Sequence, residues 1–269
     1  MKAAWLQLLK LLALVVVSLV ALQLYFIARV ALMAVVDPQS TTFQRSEAWR
    51  LLTEKHHIAW SQQWVGYARI SPQLKRAVIA SEGASFVDHS GVEWDALEKA
   101  LERNQKAEAR VAKLNEELER RAAARSAKAK PGAAKPAMVK TPAPAQAKIV
   151  GGSTITQQLA KNLFLGSERS LLRKAQEFAI TFMLESLLTK QRILEIYLNS
   201  VEWGEGVFGA EAAAHHYFRT SAAQLGPQAA ARLAVMLPAP KRFEKRPDSP
   251  YVIGRSGTVM ARMSAVELP

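Results

Sequence analysis

The chain has no cysteine. That excludes disulfides and a thiolate nucleophile, and leaves every redox compartment open. It also lacks a Walker phosphate loop, an H-E-x-x-H pair, a G-x-S-x-G elbow, and the S-x-x-K and K-T-G pair. Those gaps exclude P-loop, zincin, serine-hydrolase and penicillin-sensitive acyl-transfer chemistry. Stretches of strict apolar–polar alternation are scarce, so the fold class is expected to be mainly α. His56-His57 and His215-His216 are adjacent pairs, which point apart on a helix and make poor metal ligands. Gly204-Glu205-Gly206-Val207-Phe208-Gly209 satisfies G-x-G-x-x-G, but a helical pattern precedes it and no βαβ unit follows. It reads as a tight connection between helices, not a dinucleotide site.

What the chain does have begins with a long apolar run. Leu11 to Ala28 is interrupted only by Ser18 and Gln23, and after Arg29 the run resumes as Val30 to Val36. It exceeds the ~7–15 residues of a signal-peptide core and ends in no A-x-A site, so it reads as a transmembrane anchor over 11–36. Lys2 and Lys10 precede it, which places residues 1–10 in the cytoplasm. The expected protein is therefore single-pass in the cytoplasmic (inner) membrane, with its remaining domain on the periplasmic or outer face. Residues 37–70 read as a juxtamembrane linker. Their Trp49, Trp60, Trp64 and Tyr67 suit either a core or the headgroup layer.

The net charge of +13 is not spread over a groove. Eleven basic and four acidic residues fall between Lys106 and Lys148, a net +7. Nucleic acid is not an expected partner; anionic lipid or phosphate is. Residues 126–148 are Ala, Lys and Pro with almost no large apolar side chain, and read as a flexible insertion within a domain spanning 71–269.

Helix signals punctuate that domain. Ser71-Pro72 is a cap with proline at the first helical position, opening a helix that ends at Glu82 before Gly83. Val92 to about Arg125 is helical and increasingly charged. Gly151-Gly152-Ser153-Thr154 is a glycine turn and cap, after which Thr154, Gln158 and Lys161 share one face by their i, i+4, i+7 spacing. Hydroxyl, amide and ammonium beside a helix N-terminus suit an anion, phosphate above all. Further helices are expected over 171–188, 190–198, 210–218, 221–237 and the last dozen residues.

Two other features carry candidate chemistry. A Glu82 partly buried at its helix end would have a raised pKa suited to a general base; a solvated helix-end carboxylate is the alternative. Arg173 and Glu177 are an i, i+4 pair, which is either a surface ion pair or part of a second anionic site.

Taken in order, these segments resemble the peptidoglycan glycosyltransferase domain of class A penicillin-binding proteins and of the monofunctional biosynthetic transglycosylases. The resemblance rests on Glu82, Phe86, His89 and Gly91; on Gly151-Gly152-Ser153-Thr154 with Gln157-Gln158, Lys161 and Asn162; and on Arg173-Lys174 with Glu177. It continues through Lys190, Ile193-Leu194-Glu195, Tyr197-Leu198-Asn199 and Leu237-Pro238-Ala239-Pro240, covering roughly residues 49–245. It implies a lysozyme-like, α-helical glycosyltransferase domain after one transmembrane helix, acting on lipid II and a growing glycan strand. It implies Glu82 as general base in an inverting transfer that releases undecaprenyl pyrophosphate. Glu177 is then the second catalytic carboxylate. Phe86, His89, Ser153, Thr154, Gln157, Gln158, Lys161, Asn162, Arg173, Lys174, Glu195 and Asn199 are expected to bind substrate. No cofactor is required, although Glu177 is a candidate ligand for Mg2+ or Mn2+ at the pyrophosphate site. Membrane lipids and cell-wall synthesis or division proteins are the expected partners.

Two departures from that pattern stand out. Gly83 occupies the place of the usual Asp after the first Glu, and the stretch at 126–148 is longer than expected. Gly83 keeps a non-catalytic lipid II-binding scaffold as one alternative; a lysozyme-like lytic enzyme is another. Two basic phosphate-site motifs argue against the latter, since cutting internal sugars leaves no pyrophosphate to neutralise.

Overall fold

The computed structural model describes residues 2–83, 85–128, 152–166, 168 and 170–269. Gly151 and positions 129–148 of the expected insertion lie outside them. The chain forms two compact units, one from Met1–Val92 with Thr154–Pro269 and the other from Glu93–Ser153.

The smaller unit is dominated by α4 (Trp94–Lys128), preceded in the chain by α1 (Lys2–Leu32), α2 (Thr42–Arg50) and α3 (Pro72–Glu82). Its 35 residues span about 50 Å. Ion pairs Glu102–Lys106, Glu116–Arg120 and Glu117–Arg121 run along its solvated side at i, i+4 spacing, each worth only tenths of a kcal/mol. Gly152 lies close to this helix: a Cβ there would stand 3.0 Å from Ala100 Cβ.

The larger unit holds the remaining helices: α5 (Ile155–Phe164), α6 (Leu171–Leu187), α7 (Lys190–Ser200), α8 (Ala210–Phe218), α9 (Pro227–Met236), α10 (Pro240–Phe243) and α11 (Pro250–Met263). Their starts follow local chemistry. Ser71 accepts from Gln73 N with Pro72 at N1, Thr154 and Gln157 form a capping box, and Thr189 accepts from Arg192 N. α3 packs on α9 and α11, while α5 packs on α2, α6 and α7. One core joins both groups through Leu74, Ile79, Ile155, Leu159, Ile180, Ile193, Tyr197 and Trp203, all under 2% exposed. Each such side chain contributes roughly 1.5–3 kcal/mol of burial.

Three expectations change. The stretch 221–237 is not one helix: a 3-10 turn at Ala222–Gln224 is separated from α9 by Leu225-Gly226. Pro227 has no N–H to continue a ladder and starts a new helix instead. The glycine-rich stretch after α7 is a small β-hairpin. β2 (Glu202–Gly204) pairs antiparallel with β3 (Val207–Phe208), and β1 (Ser61–Gln62) adds in parallel, giving the order β1-β3-β2. Gly206 and Gly209 have φ of 74° and 83°, and a Cβ on Gly206 would lie 2.0 Å from Ala59 O. Only glycine fits there. Finally, residues 37–70 are folded into the unit rather than serving as a linker. Thr42 Oγ1 donates to Leu163 O, Gln44 Nε2 to Ser200 O, and Val65 N to Asn199 Oδ1.

α1 begins nearer the N-terminus than the expected span and ends at Leu32, with Val35 and Val36 beyond it. Its apolar stretch Trp5–Leu32 has 28 residues, about 42 Å, long enough to cross a bilayer. Most of it is exposed, but Phe26, Val30 and Met33 are buried. Phe26 meets Phe164 edge-on at 5.3 Å, and the side-chain amides of Gln23 and Gln176 bond each other at 2.9 and 3.1 Å. Arg192 donates to Met33 O and Val36 O and pairs with Asp37 at 2.7 Å. Gln176 thus lies beside Gln23, and Arg192, just past α6, beside residues 33–37. α1 and α6 therefore pack side by side.

Candidate active site

Glu82 is the last residue of α3 and is half-buried. The Gln158 amide on α5 donates to Glu82 Oε2 at 2.8 Å, and the Tyr197 hydroxyl on α7 donates to Gln158 Oε1 at 2.9 Å. Burial raises the Glu82 pKa above the usual carboxylate range; the Gln158 hydrogen bond opposes it. Burial and then the Glu82 charge push the Tyr197 phenol well up. Glu82 is therefore a half-buried carboxylate with a raised pKa, held on one oxygen by a neutral donor.

The loop after Glu82 is strapped down by three helices. Lys190 Nζ donates to His89 O at 2.6 Å, pairs with Glu185 at 2.9 Å and lies 4.7 Å from the centre of the Phe86 ring. Thr156 on α5 donates to Glu185 Oε1 at 2.6 Å, and Thr154 Oγ1 donates to Gly91 O at 2.5 Å. Gly91 has φ 84°, and a Cβ there would come within 2.7 Å of Thr181 and Glu185 side chains. Gly83, by contrast, has an extended φ of 176° that any residue adopts, with open space where a Cβ would stand.

A second cluster is built on α5 and α6. Glu177, 3% exposed, accepts from Arg173 Nη1 at 2.9 Å and Lys174 Nζ at 2.5 Å. Ser170 caps α6 by accepting from Arg173 N. Lys161 joins this cluster electrostatically. Its side chain reaches solvent, yet protein crowding around the ammonium lowers its pKa by desolvation; Glu177 opposes the shift, and Arg173 and Lys174 add to it. Arg173 Nε is buried with no hydrogen-bond partner among the described residues. Three cations thus face one carboxylate, leaving excess positive charge and an unspent donor. Gln158 and Lys161 are three residues apart on α5, so the partner of Glu82 and one cation of the cluster share a face of that helix.

A resident divalent ion does not fit this cluster. Both Glu177 oxygens are taken by cations, and among the described residues no three His, Asp or Glu side chains converge on a metal position. A dication there would face three positive neighbours.

Several residues expected to contact substrate make bonds within the scaffold. Thr154 is the α5 cap and Gln157 its capping-box partner, both buried, with Thr154 Oγ1 and Gln157 Oε1 engaged in the cap. Phe86 is fully buried. Asn199 is fully buried and spends its amide on Val65 N, Val65 O and Glu195 O. Glu195 pairs with Arg192, which ties down the end of α1. The His89 ring accepts from Gly91 N through Nδ1 and shapes the loop. Asn162 is half-buried on α5, and Ser153 is exposed in the other unit. Tyr197, Glu185, Thr156 and Arg192 were not among the candidates. Of these, Tyr197 left the clearest signal: a tyrosine on an otherwise apolar helix face needs a partner for its hydroxyl.

The transglycosylase family model matches residues 51–112 and 131–264. Its unmatched gap, 113–130, overlaps the expected insertion only at 126–130. The chain is 46% identical over 258 residues to a biosynthetic peptidoglycan transglycosylase of Paraburkholderia xenovorans, covering 96% of this chain and 91% of that protein. Proteins of the same name match at 48% identity in Cupriavidus pinatubonensis, over 96% of this chain and 90% of that protein, and in Cupriavidus metallidurans, over 94% and 95%.

Proposed function

Since the chain belongs to the transglycosylase family and is a peptidoglycan glycosyltransferase, we propose that it polymerises lipid II with Glu82 as general base. Glu82 takes the proton of the acceptor sugar 4-hydroxyl as that oxygen attacks the anomeric carbon of the growing strand. A new C–O bond forms with inversion, and the anomeric bond to undecaprenyl pyrophosphate breaks. The leaving group departs with the bonding electrons. It is already a stable anion, so it needs charge neutralisation rather than a proton. Lys161, Arg173 and Lys174 supply that, and Glu177 holds the latter two in place.

The observation that supports this reading is that one face of α5 carries both Gln158, bonded to Glu82 of α3, and Lys161, coupled to the Arg173–Lys174–Glu177 cluster of α6. A lytic enzyme would have no use for the second cluster. The polyprenyl tail of the substrate also accounts for the anchor running beside α6, the helix that bears Arg173 and Glu177. We place α1 across the membrane once, N-terminus inside, with the catalytic domain on the outer face. Purified full-length protein is expected to make glycan strands from lipid II, and Glu82→Gln is expected to make none. Strands from Glu82→Gln at an undiminished rate would remove Glu82 as the base. Lipid II binding without product from either protein would mark a scaffold.

A further inference from the structure

We infer that Tyr197 is a positioning residue for the transfer, fixing through its hydroxyl which end of the Gln158 amide faces Glu82. The inference rests on the reading of Glu82 as base. An amide side chain has a donor end and an acceptor end of nearly the same shape, and its hydrogen bonds decide which way it points. Here Tyr197 donates to Gln158 Oε1, which turns Nε2 toward Glu82. Tyr197 is 1% exposed and Gln158 half-buried, so water has little access to replace the Tyr197 bond.

The three groups have two arrangements, coupled to the proton on Glu82. With Glu82 ionised, Tyr197 donates to Gln158 and Gln158 donates to Glu82, and the chain is fully satisfied. With Glu82 protonated, the carboxylic acid donates to the Gln158 oxygen and the flipped amide donates to the Tyr197 oxygen. The phenol hydrogen then has no acceptor among the bonds formed by the described residues. Tyr197 therefore biases the chain by one buried hydrogen bond toward the ionised base. Without the hydroxyl, each arrangement leaves one amide end unpaired and the bias disappears.

Other charges near Glu82 do not supply this bias. On α9, which packs on α3, Arg232 is engaged by Asp248 and Pro247 O. On α11, Arg255 and Arg262 are exposed, as is Asp88 in the following loop. Lys161 on α5 answers to Glu177, Arg173 and Lys174. Lys190 on α7 is held by Glu185 and His89 O.

The test is the pH dependence of lipid II polymerisation by the full-length protein in detergent, comparing wild type, Tyr197→Phe, Gln158→Leu, the double variant and Glu82→Gln. For Tyr197→Phe, the acidic limb is expected to move up by about half to one pH unit, and kcat above it to fall about three- to tenfold because the amide no longer holds one orientation against Glu82, a loss that outweighs any gain in base strength. KM should stay within about twofold, because no substrate contact is removed. The double variant should be no slower than Gln158→Leu, since the hydroxyl acts only through that amide. A wild-type kcat and acidic limb in Tyr197→Phe, with Glu82→Gln inactive, overturns the inference and leaves the base intact. Activity in Glu82→Gln instead overturns the base itself. If Tyr197→Phe melts more than about 10 °C lower, the same comparison is made at a temperature at which every variant is folded: a raised acidic limb in Tyr197→Phe supports the relay and an unmoved one refutes it.

Discussion

Gly83 occupies the position most open to change beside the base. Its extended backbone and free space admit an aspartate without strain, and Glu82 is already raised by burial without a charged neighbour. Gly83→Asp places a like charge next to Glu82 and is expected to raise its pKa further, by about one unit or less. The acidic limb of turnover should move up, and the rate above that limb should rise a few-fold as the base strengthens. An unchanged pH–rate profile would show that the neighbouring carboxylate does not act through Glu82. A second buried carboxylate concerns stability. Glu202 is pushed up to about 7, first by burial, then partly relieved by Lys241 and raised again by Glu47. Its protonated form is favoured in the native state, so its contribution is complete below the ordinary value of 4.5 and is lost as pH rises through 7. The loss amounts to at most about 3 kcal/mol. Denaturant melts at pH 5 and pH 8 should show a steeper fall for wild type than for Glu202→Gln; parallel profiles would contradict the assignment.

α5 is the element on which the site depends. Its cap, Thr154, accepts from Gln157 N and donates to Gly91 O, so one side chain starts the helix and fastens the loop after the base. Thr154→Ala is expected to cost about 1–2 kcal/mol and to lower turnover with it, while Thr154→Ser, keeping the hydroxyl, restores both. Turnover unaffected by Thr154→Ala would separate the cap from the site. Helix starts were legible in the sequence because Ser71-Pro72, Thr154 with Gln157, and Thr189 are local signals. The hairpin was not: strands of two or three residues carry no period, and β1 pairs with β3 across nearly 150 residues. The site was legible as a set of residue types but not as a division of labour. Thr154, Gln157 and Asn199 are as polar as Gln158, and only burial shows that the first three are spent on the backbone. The Tyr197–Gln158–Glu82 chain joins three helices and has no local trace.

Across the whole molecule, the net charge of +13 and the anchor take on distinct roles. A bilayer core of ~30 Å needs about 20 residues of helix, fewer than the 28 of the largely apolar stretch Trp5–Leu32 in α1. The last residues of α1, those carrying Phe26 and Val30, are the ones the catalytic domain packs on. α6 packs alongside α1, and Arg173, Lys174 and Glu177 lie within about a turn of Gln176, which bonds Gln23 of α1. The cations paired with Glu177 are few and specific, whereas much of the excess charge is in 106–148, away from them in the sequence. The most direct test of the two-centre site measures lipid II affinity and turnover together in wild type, Glu82→Gln and Arg173→Gln. Glu82→Gln is expected to bind lipid II normally and form no strands, and Arg173→Gln to lose at least tenfold in kcat/KM, the scale of one charge-assisted contact. Full turnover in either variant would contradict the division of the site into a base and a pyrophosphate clamp.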